Sequence, residues 1–103
     1  MSSKVQMEIK NSSNFEISKI DLKANSNNTV FDLLKIENIK LNEVKTVSFN
    51  LATFDKLQDG NYSITAYLSN GTSKEFSFGY FTNKIDLKTN YTVDVSSNGI
   101  DIK

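Results

Sequence analysis

Apolar and polar residues alternate with a period of two along most of this chain, as in β-strands that have one face in a core. No long segment shows the spacing of an amphipathic helix. The alternation predicts strands over residues 4–10, 15–23, 30–36, 39–41, 44–51, 62–68, 72–80, 90–95 and 100–103, with a short strand at 85–87 left open. This many short strands, at spacings of about 8–12 residues, are typical of a β-sandwich.

Three stretches depart from simple alternation. In the second strand the apolar phase slips by one residue, which predicts a β-bulge near Ser18 and Lys19. Residues 24–29 are polar and predict a loop. Residues 30–41 fit either strands or a helix, and we favour strands because no capping residue leads into a long amphipathic pattern.

The register of the hairpin between the predicted strands 62–68 and 72–80 can be predicted, because opposed residues in an antiparallel pair share a face. A three-residue loop over 69–71 places Ile64 opposite Phe76 and Tyr62 opposite Phe78. It also puts a glycine at the left-handed position of a type I turn with a bulge. A two-residue Asn-Gly turn would instead split the apolar set between two faces.

The last hairpin has the opposite parity. Val95 is expected to face Ile100, and Val93 is expected to face Ile102, because each pair must share the apolar face. A four-residue loop over 96–99, again with glycine in its last position, gives this register.

The segment Leu-Gln-Asp-Gly-Asn-Tyr, from Leu57 to Tyr62, resembles the tyrosine corner of immunoglobulin-like and fibronectin-III-like Greek-key domains. The resemblance implies that the Tyr62 hydroxyl bonds to backbone a few residues upstream. Thr53 is predicted to cap one helical turn that runs to Leu57, which is similar to the connection before that corner. The Cys…Trp…Cys core of true immunoglobulin domains is missing, and two strands follow the expected final hairpin.

The strand pattern and the resemblance together define the expected fold. We predict an all-β protein, an antiparallel two-sheet β-sandwich of about 7–9 strands with an immunoglobulin-like Greek key. A chain of 103 residues is long enough for one independent core, so residues 1–103 are expected to form a single domain.

Composition excludes several kinds of chemistry. The chain has no Cys, His, Arg, Pro or Trp, and twelve Lys balance twelve acidic residues. Without thiols and imidazoles there is no disulfide, cysteine nucleophile, zinc finger or Ser-His-Asp triad. Asp55, Asp59 and Asn61 miss the spacing of a calcium loop. We therefore expect no metal, no cofactor and no enzymatic activity.

Charge and hydropathy set expectations for partners and location. The balanced charge and the lack of guanidinium groups argue against nucleic acid as a partner. The first residues lead into no apolar segment of the kind found in signal peptides, and no apolar run has membrane-spanning length. We expect no transmembrane segment, and a cytoplasmic start unless the chain is a mature form.

An aromatic segment at the end of the 72–80 strand draws attention. By alternation, Phe76 and Phe78 are predicted to face the core, with Tyr80 on the same face and Phe81 pointing outward. Gly79 is predicted to form a bulge.

The candidate ligand-binding residues come from this segment and the turn after it. We select Tyr80, Phe81, Asn83 and Asp86 as a rim whose aromatic faces stack on a sugar or a lipid. The alternative is that both rings close the end of the sandwich. Tyr67, on the polar face of its strand, is a further candidate binding aromatic.

Small size, an all-β pattern and the absence of a catalytic residue set favour an interaction protein. We predict a non-catalytic binding module that acts through a sandwich end or a strand edge, by self-association, with a protein partner or as a subunit of a larger assembly. The alternative is a lectin-like or membrane-surface-binding β-sandwich with a glycan or lipid ligand, although missing Trp and Arg weigh against it.

Overall fold

The computed structural model describes residues 3–103, so Met1 and Ser2 of the predicted domain lie outside the described residues. The strands in chain order are β1 (Lys4–Asn11), β2 (Ile17–Ser26), β3 (Thr29–Ile39), β4 (Val44–Asn50), β5 (Gly60–Leu68), β6 (Ser73–Phe81), β7 (Asn90–Ser96) and β8 (Gly99–Ile102). A short 3₁₀ helix (Leu51–Thr53) follows β4. No helix within residues 3–103 is both long and apolar enough to cross a membrane.

The strands form two four-stranded sheets. The first sheet has the order β4-β1-β7-β8, and the second has the order β3-β2-β5-β6. All pairs are antiparallel except β1 with β7, which run parallel. The all-β, two-sheet sandwich predicted from the sequence is confirmed, with this parallel pair as an exception to its antiparallel pattern. The immunoglobulin-like Greek key stays a prediction.

The core lies between the sheets, where each strand turns its apolar residues inward. On β1, for example, the buried and exposed residues alternate strictly along the strand. The largest fully buried side chains are Tyr62, Phe81, Met7, Ile9, Ile17, Ile20, Leu22, Ile39, Leu51, Ile64, Val5 and Val93. The period-two pattern of the sequence therefore identifies the core face correctly in the regular strands.

The predicted register of the β5–β6 hairpin is confirmed. Ile64 lies opposite Phe76, and Tyr62 lies opposite Phe78. Gly71 has a φ of 89°, in the left-handed region where a side chain is disfavoured, so the three-residue loop with glycine in its last position is confirmed as well.

The register of the β7–β8 hairpin is confirmed too, since Val95 lies opposite Ile100 and Val93 opposite Ile102. Pairing continues one step further, because Ser96 pairs with Gly99, the residue that was predicted to end the loop. The turn therefore holds two residues where the sequence predicted a four-residue loop.

The bulge predicted in β2 is confirmed. Ile17 lies opposite Leu68, and Lys19 lies opposite Tyr67, so β2 contains one extra residue between these pairs. That residue is Ser18, whose hydroxyl donates a hydrogen bond to the Tyr67 carbonyl oxygen at 2.9 Å. The serine thus ties the irregular part of β2 to its neighbour in the sheet.

The loop predicted over residues 24–29 is wrong. β2 continues to Ser26 and β3 begins at Thr29, so only Asn27 and Asn28 form the turn. Their φ angles of 51° and 60° define a type I′ turn, which matches the twist of a hairpin and which asparagine tolerates. The strand predicted over 30–36 is part of β3, which continues to Ile39. The separate strand predicted over 39–41 is wrong, because Lys40 and Leu41 lie in the turn between β3 and β4.

The helical turn predicted from Thr53 is wrong as well. Thr53 ends the 3₁₀ helix instead of capping a helix, and Asn50 is the capping residue. Asn50 has extended backbone at the end of β4, so its Oδ1 reaches the Ala52 N–H at 2.9 Å. The short strand left open at 85–87 is also absent from the described part of the chain, where only an isolated bridge joins Thr82 and Ile85.

Candidate binding site at the β6–β7 loop

The connection between β6 and β7 lies at the end of the sandwich where the β2–β3 turn and the β4–β5 connection also lie. Thr82 and Ile85 exchange two backbone hydrogen bonds of 3.0 and 2.9 Å. Between them, Asn83 and Lys84 have φ angles of 52° and 61°, a second type I′ turn. The chain leaves β6 through this tight turn and returns along the sandwich end.

Asp86 anchors this loop to both sheets. Its side chain is 3% exposed, and its Oδ2 accepts hydrogen bonds from the Tyr62 hydroxyl at 2.8 Å and the Tyr91 hydroxyl at 2.6 Å. Its Oδ1 accepts the backbone N–H of Lys88 at 2.9 Å. Since Tyr62 belongs to the second sheet and Tyr91 to the first, one carboxylate joins the loop to both layers.

The partner of Tyr62 differs from the one that the tyrosine-corner resemblance implies. The Tyr62 hydroxyl donates to Asp86, which follows it by 24 residues, and not to upstream backbone. The implied partner is therefore wrong, because the buried carboxylate of the β6–β7 loop occupies the position in front of the hydroxyl.

Both tyrosine hydroxyls are held in the neutral form. Burial is the main cause that raises the pKa of Tyr62 and of Tyr91, and the hydrogen bond and negative charge of Asp86 raise the pKa of each further. Each tyrosine hydroxyl therefore remains a hydrogen-bond donor to the Asp86 carboxylate far above neutral pH.

Gly79 makes room for these rings. Its φ is 71°, and a Cβ added there would lie 2.6 Å from Cδ2 of Tyr62 and 2.9 Å from the hydroxyl oxygen of Tyr91. Any side chain at this position would collide with both tyrosines. Gly79 is also where β6 gains an extra residue, since Gly60 pairs with Phe81 while Tyr62 pairs with Phe78, so the predicted bulge is confirmed.

The loop and the end of β6 enclose a groove of about 640 Å³. Its walls are formed by Tyr80, Thr82, Asn83, Ile85, Asp86, Leu87, Lys88 and Tyr91. Leu87 is 86% exposed and Tyr80 is 63% exposed, so two large apolar side chains face solvent at its mouth. We call this feature the β6–β7 groove.

Three of the five candidate residues meet at the β6–β7 groove. Tyr80, Asn83 and Asp86 all line it. Both oxygens of Asp86 are bonded within the protein, so its role there is to hold the loop in place.

The predicted orientations of the two rings are wrong. Tyr80 is largely exposed, although it was expected on the core face, and Phe81 is fully buried, although it was expected to point outward. The extra residue at Gly79 reverses the alternation beyond it. The Phe81 ring packs against Tyr62 with centroids 5.2 Å apart, so it helps to close the sandwich end and takes no part in the groove.

The remaining aromatic predictions have mixed outcomes. Phe78 packs partly buried against the core as predicted, but the prediction for Phe76, on the same edge strand, is wrong, since Phe76 is exposed. Tyr67 lies near the far end of β5, opposite Ser73, away from the groove. Its ring is covered by the Lys19 ammonium, 4.8 Å from the centroid.

Five further residues of the groove were not predicted from the sequence: Thr82, Ile85, Leu87, Lys88 and Tyr91. The segment Lys-Ile-Asp-Leu-Lys alternates, so it looks like a short strand whose leucine belongs to a core. Leu87 lies between two charged residues, Asp86 and Lys88, shortly after a turn, and this setting was the available sign that the leucine faces solvent.

Comparisons with known proteins place the fold alone. No protein-family model matches the chain, and no curated protein matches it. Among solved structures, the chain is similar to a protein from Eubacterium rectale determined by NMR, with a TM-score of 0.57 and 10% sequence identity. The likeness covers 98% of this chain and 87% of the other. It supports the two-sheet sandwich and carries no information about a ligand.

Proposed function

We propose that this protein is a non-catalytic binding module that engages its ligand through the β6–β7 groove. The observation that carries the proposal is the exposure of Leu87, on a loop that Asp86 anchors to both sheets, together with that of Tyr80 near the end of β6. Large apolar side chains exposed beside a concave surface mark binding sites more often than isolated exposed residues do.

The hydrogen bonds that Asp86 accepts below the groove also favour binding over catalysis. A loop fixed by a buried carboxylate that accepts three hydrogen bonds loses little conformational entropy when a ligand docks, which is the benefit of preorganisation. Because Asp86 is buried and both of its oxygens accept bonds from the protein, it is poorly placed to take a proton from a substrate. Its tyrosine partners are held neutral, so they supply no anionic nucleophile either.

The test screens three ligand classes with the groove intact and altered. The probes are a defined glycan array, vesicles of phosphatidylcholine with and without phosphatidylserine, and a random-peptide phage library. The altered proteins are Leu87→Asp and Tyr80→Ala. The matched control is Leu41→Asp, because Leu41 is 47% exposed in the β3–β4 turn at the opposite end.

We expect at least one class to bind, with affinity reduced about tenfold or more in both groove variants and unchanged in the control. Binding that is insensitive to both groove substitutions would contradict the proposal. Absence of binding in all three screens would contradict it as well.

A further inference from the structure

A second cavity of about 570 Å³ adjoins the β6–β7 groove, and the two share Asn83. It lies between the two type I′ turns, one at Asn27 and the other at Asn83. Its walls are formed by Asn27, Leu57, Gln58, Asp59, Asn83 and Lys84. We call this cavity the amide pocket.

The backbone around the amide pocket is held in place by buried and charged groups. The buried Ser26 hydroxyl accepts the N–H of Gln58 at 2.9 Å and donates to the carbonyl oxygen of Asp59 at 3.1 Å. Oδ1 of Asp59 accepts the N–H of Asn83 at 3.1 Å. These bonds connect the β2–β3 hairpin, the β4–β5 connection and the β6–β7 turn around one space.

The residues that line this space include polar side chains that keep their hydrogen-bonding capacity. Within residues 3–103, the side-chain amides of Asn27, Gln58 and Asn83 bond to no protein group, and Oδ2 of Asp59 bonds to none. Each amide offers both donors and an acceptor, and the carboxylate oxygen offers a further acceptor. Three unbonded amides and one unbonded carboxylate oxygen therefore belong to residues that line a single concave space.

This set of groups selects the chemical class of the ligand. The formal charges of Asp59 and Lys84 cancel, so the pocket offers no net attraction to an anion or a cation. Amide and carboxylate groups match neighbouring hydroxyls, each of which donates and accepts a hydrogen bond. Across Asn83, the exposed Tyr80 ring supplies an apolar surface of the kind that packs on the C–H face of a sugar ring.

We propose that this end of the sandwich binds a neutral carbohydrate, with one sugar in the amide pocket and the adjoining sugar in the β6–β7 groove against Tyr80. The proposal rests on the binding function proposed above and names its ligand class. Asn83 lies at the junction of the two cavities, so it contacts both sugars.

The test uses the glycan array and titration of the strongest glycan into the full chain. Gln58→Ala and Asn83→Asp each remove amide donors from the pocket. Asp keeps the left-handed tolerance that the φ of 52° at Asn83 requires. Asn42→Asp is the matched control, since Asn42 is exposed at the opposite end and has a φ of 63°. Thermal unfolding confirms that each variant is folded.

We expect neutral glycans to bind, with about tenfold weaker binding in Gln58→Ala and in Asn83→Asp and no change in Asn42→Asp. Glycan binding that is unchanged in both pocket variants would overturn the proposal. Binding of only peptides or vesicles, lost in Leu87→Asp, would also overturn it while leaving the binding module intact. Absence of every ligand would overturn both proposals.

Discussion

At the scale of single residues, Asp86 shows how chemistry that looks available in a sequence is used by the fold. The sequence suggested a ligand-binding carboxylate beside aromatic residues. In the structure the carboxylate is buried and bonded to hydroxyls 24 residues before it and 5 residues after it. The local sequence pattern does not predict these partners, because the packing of the two sheets brings them together. Asp86 therefore anchors the β6–β7 loop, and the ligand-binding role predicted for it stays a prediction.

The tyrosines bonded to Asp86 predict a pH dependence of stability. The folded state raises the pKa of Tyr62 and Tyr91 above the ordinary value of 10, so below that pH both states keep these protons. Above it, only the unfolded chain releases them, and the free energy of unfolding falls as pH rises. Each tyrosine contributes a slope of about 1.4 kcal/mol per pH unit in this range.

The measurement is urea unfolding from about pH 8 to about pH 11. Tyr91→Phe removes one of the two protons, so the variant should lose less stability above pH 10, by about 1.4 kcal/mol per unit. Lysine titration affects both proteins equally and cancels in the comparison. Equal slopes in the two proteins would show that Tyr91 is not held neutral by the fold.

At the scale of elements, the sequence predicts strands well where they are regular and fails where one residue is inserted. Both hairpin registers follow from shared apolar faces, and the β2 bulge follows from a slipped phase. Beyond Gly79 the same alternation assigns Tyr80 and Phe81 to the wrong faces. A bulge was predicted at this glycine, but its effect on parity depends on where the extra residue sits in the pairing, which only the neighbouring strand defines.

Replacement of Gly79 is predicted to destabilise the folded protein. Gly79→Ala should lower the free energy of unfolding by about 2–5 kcal/mol, since it adds left-handed strain to a collision with the Tyr62 and Tyr91 rings. Gly71→Ala is the matched control. Gly71 also has a positive φ, but a Cβ there meets nothing within 4 Å, so only the strain of about 1–2 kcal/mol remains.

Urea unfolding of the two alanine variants measures the difference directly. A larger loss at Gly79 is expected, and equal losses would mean that the tyrosine rings move aside at no cost. The two glycines thus separate the conformational role of a turn from the packing role of a bulge.

At the scale of the whole molecule, strand number and alternation were sufficient for the sandwich class, but the order of strands was beyond reach. β1 lies between β4 and β7, and its Gln6 pairs in parallel with Asn90 near the other end of the chain. Parallel pairing of this kind cannot be recognised from either strand's sequence, because apolar and polar residues alternate as they would in an antiparallel sheet. The pairing also means that the first sheet is completed only when distant segments meet.

This topology, together with composition, predicts the refolding kinetics. Sheets built from distant pairs fold slowly for their size, in about milliseconds to seconds. With no proline in the chain, no isomerisation phase of about 10–100 s is available to limit refolding. Stopped-flow refolding should therefore give the same rates after a brief and after a prolonged period in urea. A slow phase whose amplitude grows with time in urea would contradict this expectation, because it would reveal slow heterogeneity in the unfolded chain that peptide bonds before proline do not explain.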